Sequence, residues 1–147
     1  MNSFRTIDDV LNFAITQETK AHDFYLELAD WVETERTSKT LQNFADEELT
    51  HLQKLLALKK GNLKIEPETI CTLDIADKLE PVEPKENMGY AKTLIYAIKK
   101  EDRANKLYNS LAEACEDLEV KDMFLLLAQQ EANHRLGLEL EYDLATF

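Results

Sequence analysis

The sequence matches itself when it is shifted by 83 residues, and this internal repeat constrains the fold more than any other feature. The matches need no gap, and they run through two apolar segments of helical spacing in each half. Matched apolar residues are expected, because each half must bury one face of its helices. Core packing does not explain why glutamate, histidine and tyrosine residues also match. The chain is therefore predicted to contain two related helical hairpins. The polar matches are Glu18 with Glu101, Tyr25 with Tyr108, Glu48 with Glu131, and His51 with His134.

Apolar residues recur at helical spacing in four segments, which predict helices over about residues 7–32, 38–60, 88–115 and 118–142. Thr6 followed by Asp9, and Asp117 before the fourth segment, are typical of helix N-termini. Gly61 is expected to end the second helix in the left-handed conformation. Residues 62–87 contain all three prolines and are long enough to return the chain along a bundle. We predict a single all-α domain over residues 1–147, an antiparallel four-helix bundle of two hairpins joined by a long crossover.

Composition excludes several classes of partner. The 17 Lys and Arg residues against 29 Asp and Glu residues give a net charge of −12, which phosphate backbones and anionic lipids repel. The longest strongly apolar run, residues 123–128, is far shorter than the roughly 20 residues of a membrane span, and the N-terminus has no secretory pattern. Cys71 and Cys115 form no CxxC pair, so both are expected to be free thiols. We expect a cytoplasmic protein that binds neither nucleic acid nor membranes.

The repeated carboxylates fall on the inner faces of the predicted helices. Glu48 and His51 lie about 60° apart on adjacent turns of one helix, and the second half repeats this spacing. Glu18 lies within the apolar stripe of the first helix, as its repeat partner does in the third. A lone ExxH motif is usually an exposed helical ion pair. Here the motif occurs twice, and each half adds a glutamate on an apolar stripe, so the pattern indicates a metal site instead. Burying four carboxylates costs many kcal/mol unless something neutralises them, and two divalent ions completed by two imidazoles would do so.

This pattern resembles the rubrerythrin branch of the ferritin-like proteins over nearly the whole chain. The matching signatures are Glu-x6-Tyr on the first and third helices and Glu-x2-His on the second and fourth. The resemblance implies a ferritin-like bundle that holds two iron ions, with manganese as the alternative metal. The implied ligands are Glu18 and His51 on one iron, Glu101 and His134 on the other, and Glu48 and Glu131 as bridges.

The same resemblance implies that the hydroxyls of Tyr25 and Tyr108 donate hydrogen bonds to the ligand carboxylates. The alternative is that both are core aromatics whose hydroxyls are satisfied elsewhere. His22 follows Glu18 by four residues, but its repeat partner is Asn105, so we expect it at a helix edge. Trp31 is expected to pack near the end of the first hairpin.

Two departures from rubrerythrins bear on function. The chain has neither the length nor the four cysteines of their rubredoxin domain, so we expect a separate, rubredoxin-like electron donor. Ala104 stands where rubrerythrins carry an additional glutamate whose exchange with a histidine accompanies peroxide reduction, which leaves the symmetric set of four glutamates and two histidines.

The resemblance implies a homodimeric di-iron oxidoreductase that reduces peroxide or dioxygen. Three alternatives remain open at this point: a ferroxidase or iron-handling protein, a manganese catalase-like enzyme, and a bundle that binds metal only for structural support or sensing.

Overall fold

A computed structural model describes residues 6–61 and 89–146, which form four α-helices. In chain order these are α1 (Ile7–Trp31), α2 (Glu35–Lys60), α3 (Tyr90–Ala114) and α4 (Leu118–Thr146). Within the described ranges there is no strand. The predicted all-α class with two helical hairpins is confirmed. The predicted crossover and Cys71 lie outside the described residues.

The chain divides into two compact units, and each contains one hairpin. Helix α1 packs on α2 in the first hairpin, and α3 packs on α4 in the second. Connections of three residues link the helices of each hairpin, and so short a connection makes the second helix run back along the first. The prediction of a single domain over residues 1–147 stays a prediction.

Side-chain caps start two of the helices where the sequence predicts them. The Thr6 hydroxyl accepts a hydrogen bond from the Asp9 amide at 3.2 Å, and the Asp9 carboxylate accepts one from the Thr6 amide at 3.2 Å. This reciprocal pair is a capping box. Oδ1 of Asp117 accepts hydrogen bonds from the amides of the two residues at positions 119 and 120, at 2.9 and 3.2 Å. Both predicted N-terminal signals are confirmed.

Helix α2 ends at Lys60 as predicted, but its first residue and the conformation of Gly61 differ from the prediction. It begins three residues earlier, because the Ser38 amide already donates to the Thr34 carbonyl at 3.0 Å and closes a helical turn. The Ser38 hydroxyl instead donates to the Ala29 carbonyl of α1 at 2.9 Å, which joins the two helices. At the other end Gly61 has φ −81° and ψ 3° and donates to the Leu58 carbonyl, so the expected left-handed conformation is wrong.

The buried stripes of each hairpin surround the positions of the repeated glutamates. Ala14 and Tyr25 flank Glu18 on α1, and all three side chains are buried.

Trp31, by contrast, is 61% exposed, so its expected packing at the hairpin end is wrong. None of the four described helices has an apolar stretch that could cross a membrane. The largest fully buried aliphatic side chains are Leu11, Leu28, Leu41, Leu55, Leu94, Leu111, Leu127 and Leu138.

Candidate metal centre

The first hairpin brings three potential metal ligands together. Glu18 lies in the middle of α1, and Glu48 and His51 lie one turn apart on α2. Nδ1 of His51 is 3.4 Å from Oε2 of Glu18 and 3.8 Å from Oε1 of Glu48. Each residue offers a ligand atom within 4.8 Å of the others, and none is more than 2% exposed. We call these three residues half-site 1.

The second hairpin repeats this arrangement with Glu101 on α3 and with Glu131 and His134 on α4. Nδ1 of His134 is 3.3 Å from Oε2 of Glu101 and 3.9 Å from Oε2 of Glu131. The side chains are again almost completely buried, at 3% exposure or less. These three residues form half-site 2. Corresponding distances in the two half-sites differ by 0.1 Å, so the sequence repeat is also a repeat in geometry.

The chemistry of each half-site fits a divalent cation. Each half-site contains two buried carboxylates and one imidazole. Even a positively charged imidazole would offset only one of the two negative charges. Every Lys and Arg side chain in the described part of the chain keeps some solvent exposure, and none is buried beside the carboxylates. Metal bonds of about 2.0–2.2 Å place neighbouring ligand atoms roughly 3.0–3.4 Å apart. The histidine nitrogens lie at such distances from Glu18 and Glu101, at 3.4 and 3.3 Å, and somewhat farther from Glu48 and Glu131, at 3.8 and 3.9 Å. Mixed carboxylate and imidazole donors suit iron and manganese.

Comparison with known proteins agrees with this chemistry. The family model for rubrerythrin matches residues 9–88 and 92–141. The chain belongs to the rubrerythrin family. No curated protein and no solved structure gave a significant match. The matched ranges of this rubrerythrin-family chain include both half-sites, both repeated tyrosines and Ala104.

Tyr25 and Tyr108 occupy equivalent buried positions, each 1% exposed. The ring of Tyr25 meets Phe44 of α2 edge to face, with 5.6 Å between centroids. The ring of Tyr108 stacks on Phe124 of α4 at 6.2 Å. These contacts support packing between the helices of each hairpin, and the role of the two hydroxyls as donors to ligand carboxylates stays a prediction.

An ion pair beside half-site 2 was not predicted. Arg135 donates from Nη1 to Oδ1 of Asp102 at 2.8 Å, and Lys106 lies 2.9 Å from the other carboxylate oxygen. The hydrogen bond from Lys106, together with the positive charges of Lys106 and Arg135, holds the pKa of Asp102 below its ordinary value despite partial burial. Asp102 and Arg135 carry opposite charges, and each directly follows a predicted ligand in the sequence. This pattern is the signal that could have revealed the pair.

The structure also shows the surroundings of three other polar residues, His22, Asn105 and Glu141. His22 is half-buried with Nδ1 3.1 Å from the Asp23 carboxylate, which confirms its predicted place at a helix edge. Its repeat partner Asn105 donates to the Ala128 carbonyl of α4 at 2.7 Å, a link between helices that spacing alone does not reveal. Glu141 is buried at 7% exposure and was not singled out from the sequence.

Proposed function

We propose that this protein is a di-iron carboxylate oxidoreductase that reduces peroxide or dioxygen with electrons from a separate donor protein such as a rubredoxin. The supporting observation is the duplicated, buried set of two glutamates and one histidine in a rubrerythrin-family chain. The acidic composition and the absence of a spanning helix among the described residues are compatible with a cytoplasmic location.

The proposal combines the two half-sites into one dinuclear centre. By the family resemblance, Glu18 with His51 and their repeat partners would be terminal ligands, while Glu48 and Glu131 would bridge. Together the half-sites supply four carboxylates, whose charge matches that of two divalent ions. The two imidazoles add nitrogen donors without adding charge when they are neutral.

Each part of the chain has a distinct task in the proposed reaction. The residues of the two half-sites would hold two Fe(II) ions, which would supply one electron each for the reduction of hydrogen peroxide with two protons to two molecules of water. The carboxylates balance the metal charge, and His51 and His134 fix the donor positions from one turn further along their helices. Tyr25 and Tyr108 would hold the carboxylates in place through their hydroxyls. The surrounding apolar side chains limit the access of water.

An anaerobic loading experiment tests this proposal. The protein is loaded with two Fe(II) per chain, mixed with one equivalent of hydrogen peroxide, and followed by stopped-flow absorbance of the ferric product. We expect one rapid phase that oxidises both irons. A fully loaded protein that does not react with peroxide or dioxygen would contradict the proposal.

Neighbouring glutamates provide a matched control for that experiment. Glu48→Gln removes a buried donor, and we expect it to abolish the rapid phase. Glu47→Gln removes the same charge from the preceding, exposed position, and we expect it to react like the unaltered protein. Equal loss in both variants would show that general charge, rather than the half-site, governs the reaction.

Iron handling is a second candidate function. Ala104 stands at the position of the additional glutamate that takes part in the peroxidase cycle of rubrerythrins, so this chain lacks that glutamate. Repeated additions of Fe(II) under air distinguish the two. In an oxidoreductase two irons per chain stay bound and can be reduced again, whereas in a ferroxidase the oxidised iron leaves and each addition is consumed.

Metal that raises the melting temperature without any turnover would indicate a structural or sensing role. Elemental analysis of protein from its native host would decide between iron and manganese.

A further inference from the structure

Helix α3 carries a row of positive charges on one side. Five of the 17 Lys and Arg residues of the chain lie on this helix, and they fall within an arc of about 120° around it. Three of these side chains are exposed and two are half-buried, and no Asp or Glu of α3 lies within the arc. We call this surface the basic face. Its members are Lys92, Lys99, Lys100, Arg103 and Lys106.

The internal repeat shows that the hairpin fold does not require positive charge at these positions. The residues 83 positions earlier lie on α1, where they carry one positive and two negative charges. The α1 residues are Asp9, Thr16, Gln17, Lys20 and Asp23. The basic face is therefore a specific feature of α3 rather than a consequence of the shared fold.

The spacing of the basic face opposes the stability of its own helix. Arg103 follows Lys99 by four residues, so their positive charges lie one turn apart and repel each other. The Asp102 carboxylate offsets charge only at one edge, where it lies 2.9 Å from the Lys106 ammonium. Alternating charges would have served a purely solvated helix better. A concentration of one sign of charge instead favours a role in attracting a partner.

The basic face lies on the far side of α3 from half-site 2. Its centre is about 180° around the helix from Glu101, so the width of one helix, roughly 10–12 Å, separates the two. Electron transfer between proteins slows steeply with distance, so a donor protein on this face would be well placed to reduce a metal in half-site 2. The equivalent side of α1 lies in the same relation to Glu18 but has a negative net charge.

We propose that the basic face is the docking surface for the electron donor, and that this donor is an acidic redox protein. The inference rests on the proposed function, which requires a separate donor. The chain as a whole has a net charge of −12, so most orientations repel an acidic protein while the basic face attracts it. Redox encounters bury little surface, so complementary charge can select the orientation without a large apolar area. Two donor molecules, each losing one electron, return two Fe(III) to Fe(II).

Calorimetric titration of an acidic rubredoxin into the iron-loaded full chain, with both proteins oxidised, tests the docking without turnover. We expect binding in about 20 mM salt that weakens at least about 10-fold in 0.3 M salt, because exposed charges provide the attraction. Arg103→Glu should weaken the binding in low salt at least about 10-fold. Lys99→Glu, one turn earlier, should act in the same direction. Circular dichroism should show unchanged helicity, since both side chains keep solvent exposure.

Lys20→Glu is the matched control for Arg103→Glu. Lys20 is the repeat partner of Arg103, and both substitutions change the net charge by the same amount. We expect the control to bind the rubredoxin as the unaltered chain does. Equal weakening by both variants would overturn the proposal, and so would an unaltered chain that does not bind in low salt. A short DNA duplex that binds as tightly, with the same dependence on Arg103, would also overturn it, because the face would then attract any polyanion.

Reduction rates separate this inference from the proposed function. Reduced rubredoxin and a small uncharged hydroquinone are each mixed anaerobically with the oxidised, iron-loaded chain, and the loss of ferric absorbance is followed. Arg103→Glu should slow reduction by rubredoxin at least about 10-fold more than reduction by the hydroquinone. Equal rates with rubredoxin in Arg103→Glu and Lys20→Glu would overturn the docking surface, even in a chain that reduces peroxide. A chain that binds rubredoxin through the basic face but reacts with neither peroxide nor dioxygen would support the docking surface and contradict the proposed function alone.

Discussion

Arg135 donates a 2.8 Å hydrogen bond to Asp102, and each of these residues directly follows a proposed metal ligand, His134 on α4 and Glu101 on α3. The pair therefore joins the two helices next to half-site 2. The first hairpin carries Thr19 and Leu52 at the equivalent positions. The two half-sites thus have equivalent donors but different surroundings.

A double-mutant cycle measures what this ion pair contributes to folding. The side chains of Asp102 and Arg135 are 32% and 40% exposed, so water screens their attraction. We expect a coupling free energy of about 0.5–1 kcal/mol between Asp102→Asn and Arg135→Gln in urea unfolding of the metal-free protein. The coupling should fall in 0.5 M salt. The highly exposed pair of Glu35 and Lys39 is the control, where the same cycle should give less than about 0.3 kcal/mol.

Local periodicity explains why so much of each hairpin could be predicted from the sequence. Glu48 and His51 share a helix face at any rotation of that helix, because residues three apart always lie on adjacent turns. The repeat then showed which polar positions were constrained. Capping residues at Thr6 and Asp117 correctly marked two helix starts, whereas no such signal marked the start of α2, which begins three residues before the predicted position 38.

Contacts between helices could not be predicted, because a single sequence does not give the rotation of one helix against another. The pairing of Asp102 with Arg135 depends on that rotation, and so does the hydrogen bond from Asn105 to the Ala128 carbonyl. The leucines of α4 illustrate the same limit. Hydrophobicity alone would place Leu136 and Leu140 in the core, whereas each is 57% exposed in the structure.

Replacing a buried carboxylate of half-site 1 by its neutral amide should stabilise the metal-free protein. Glu48→Gln removes a negative charge close to Glu18 while preserving size, which relieves repulsion in a dry environment. We expect the free energy of unfolding without metal to rise by about 1–2 kcal/mol, and metal binding to weaken at the same time. Chemical denaturation with and without added Mn(II) measures both effects. Stabilisation that persists equally in saturating metal would contradict a role for Glu48 as ligand.

The capping box at α1 offers a direct test of local stability. Thr6→Ala removes the hydroxyl that accepts from the Asp9 amide, and we expect a loss of about 1 kcal/mol. Thr34 occupies the N-cap position of α2 but makes no side-chain hydrogen bond there. Thr34→Ala should therefore cost only a few tenths of a kcal/mol. Thermal unfolding of the two variants provides the comparison, and equal losses would show that the α1 cap adds nothing specific.

The thiol of Cys115 should resist alkylation in the folded protein. Burial, assisted by the nearby carboxylate of Asp117 and opposed by Lys121, raises the pKa of Cys115 from 9.0 to about 11. At pH 8 the folded protein then holds about 100-fold less thiolate than an ordinary cysteine. In a Cys71→Ser background, iodoacetamide should react slowly until the pH approaches 11, and guanidinium should restore ordinary reactivity.

The same shift predicts how stability depends on pH. Because folding favours the neutral thiol, Cys115 contributes stability that is fully present below pH 9 and is lost as the pH rises from 9 towards 11. Cys115→Ala should remove this part of the alkaline slope. Asp117→Asn keeps a residue able to cap α4 but removes the negative charge, so it should lower the pKa of Cys115 and speed alkylation. An alkylation rate that Asp117→Asn leaves unchanged at pH 9 would assign the whole shift to burial.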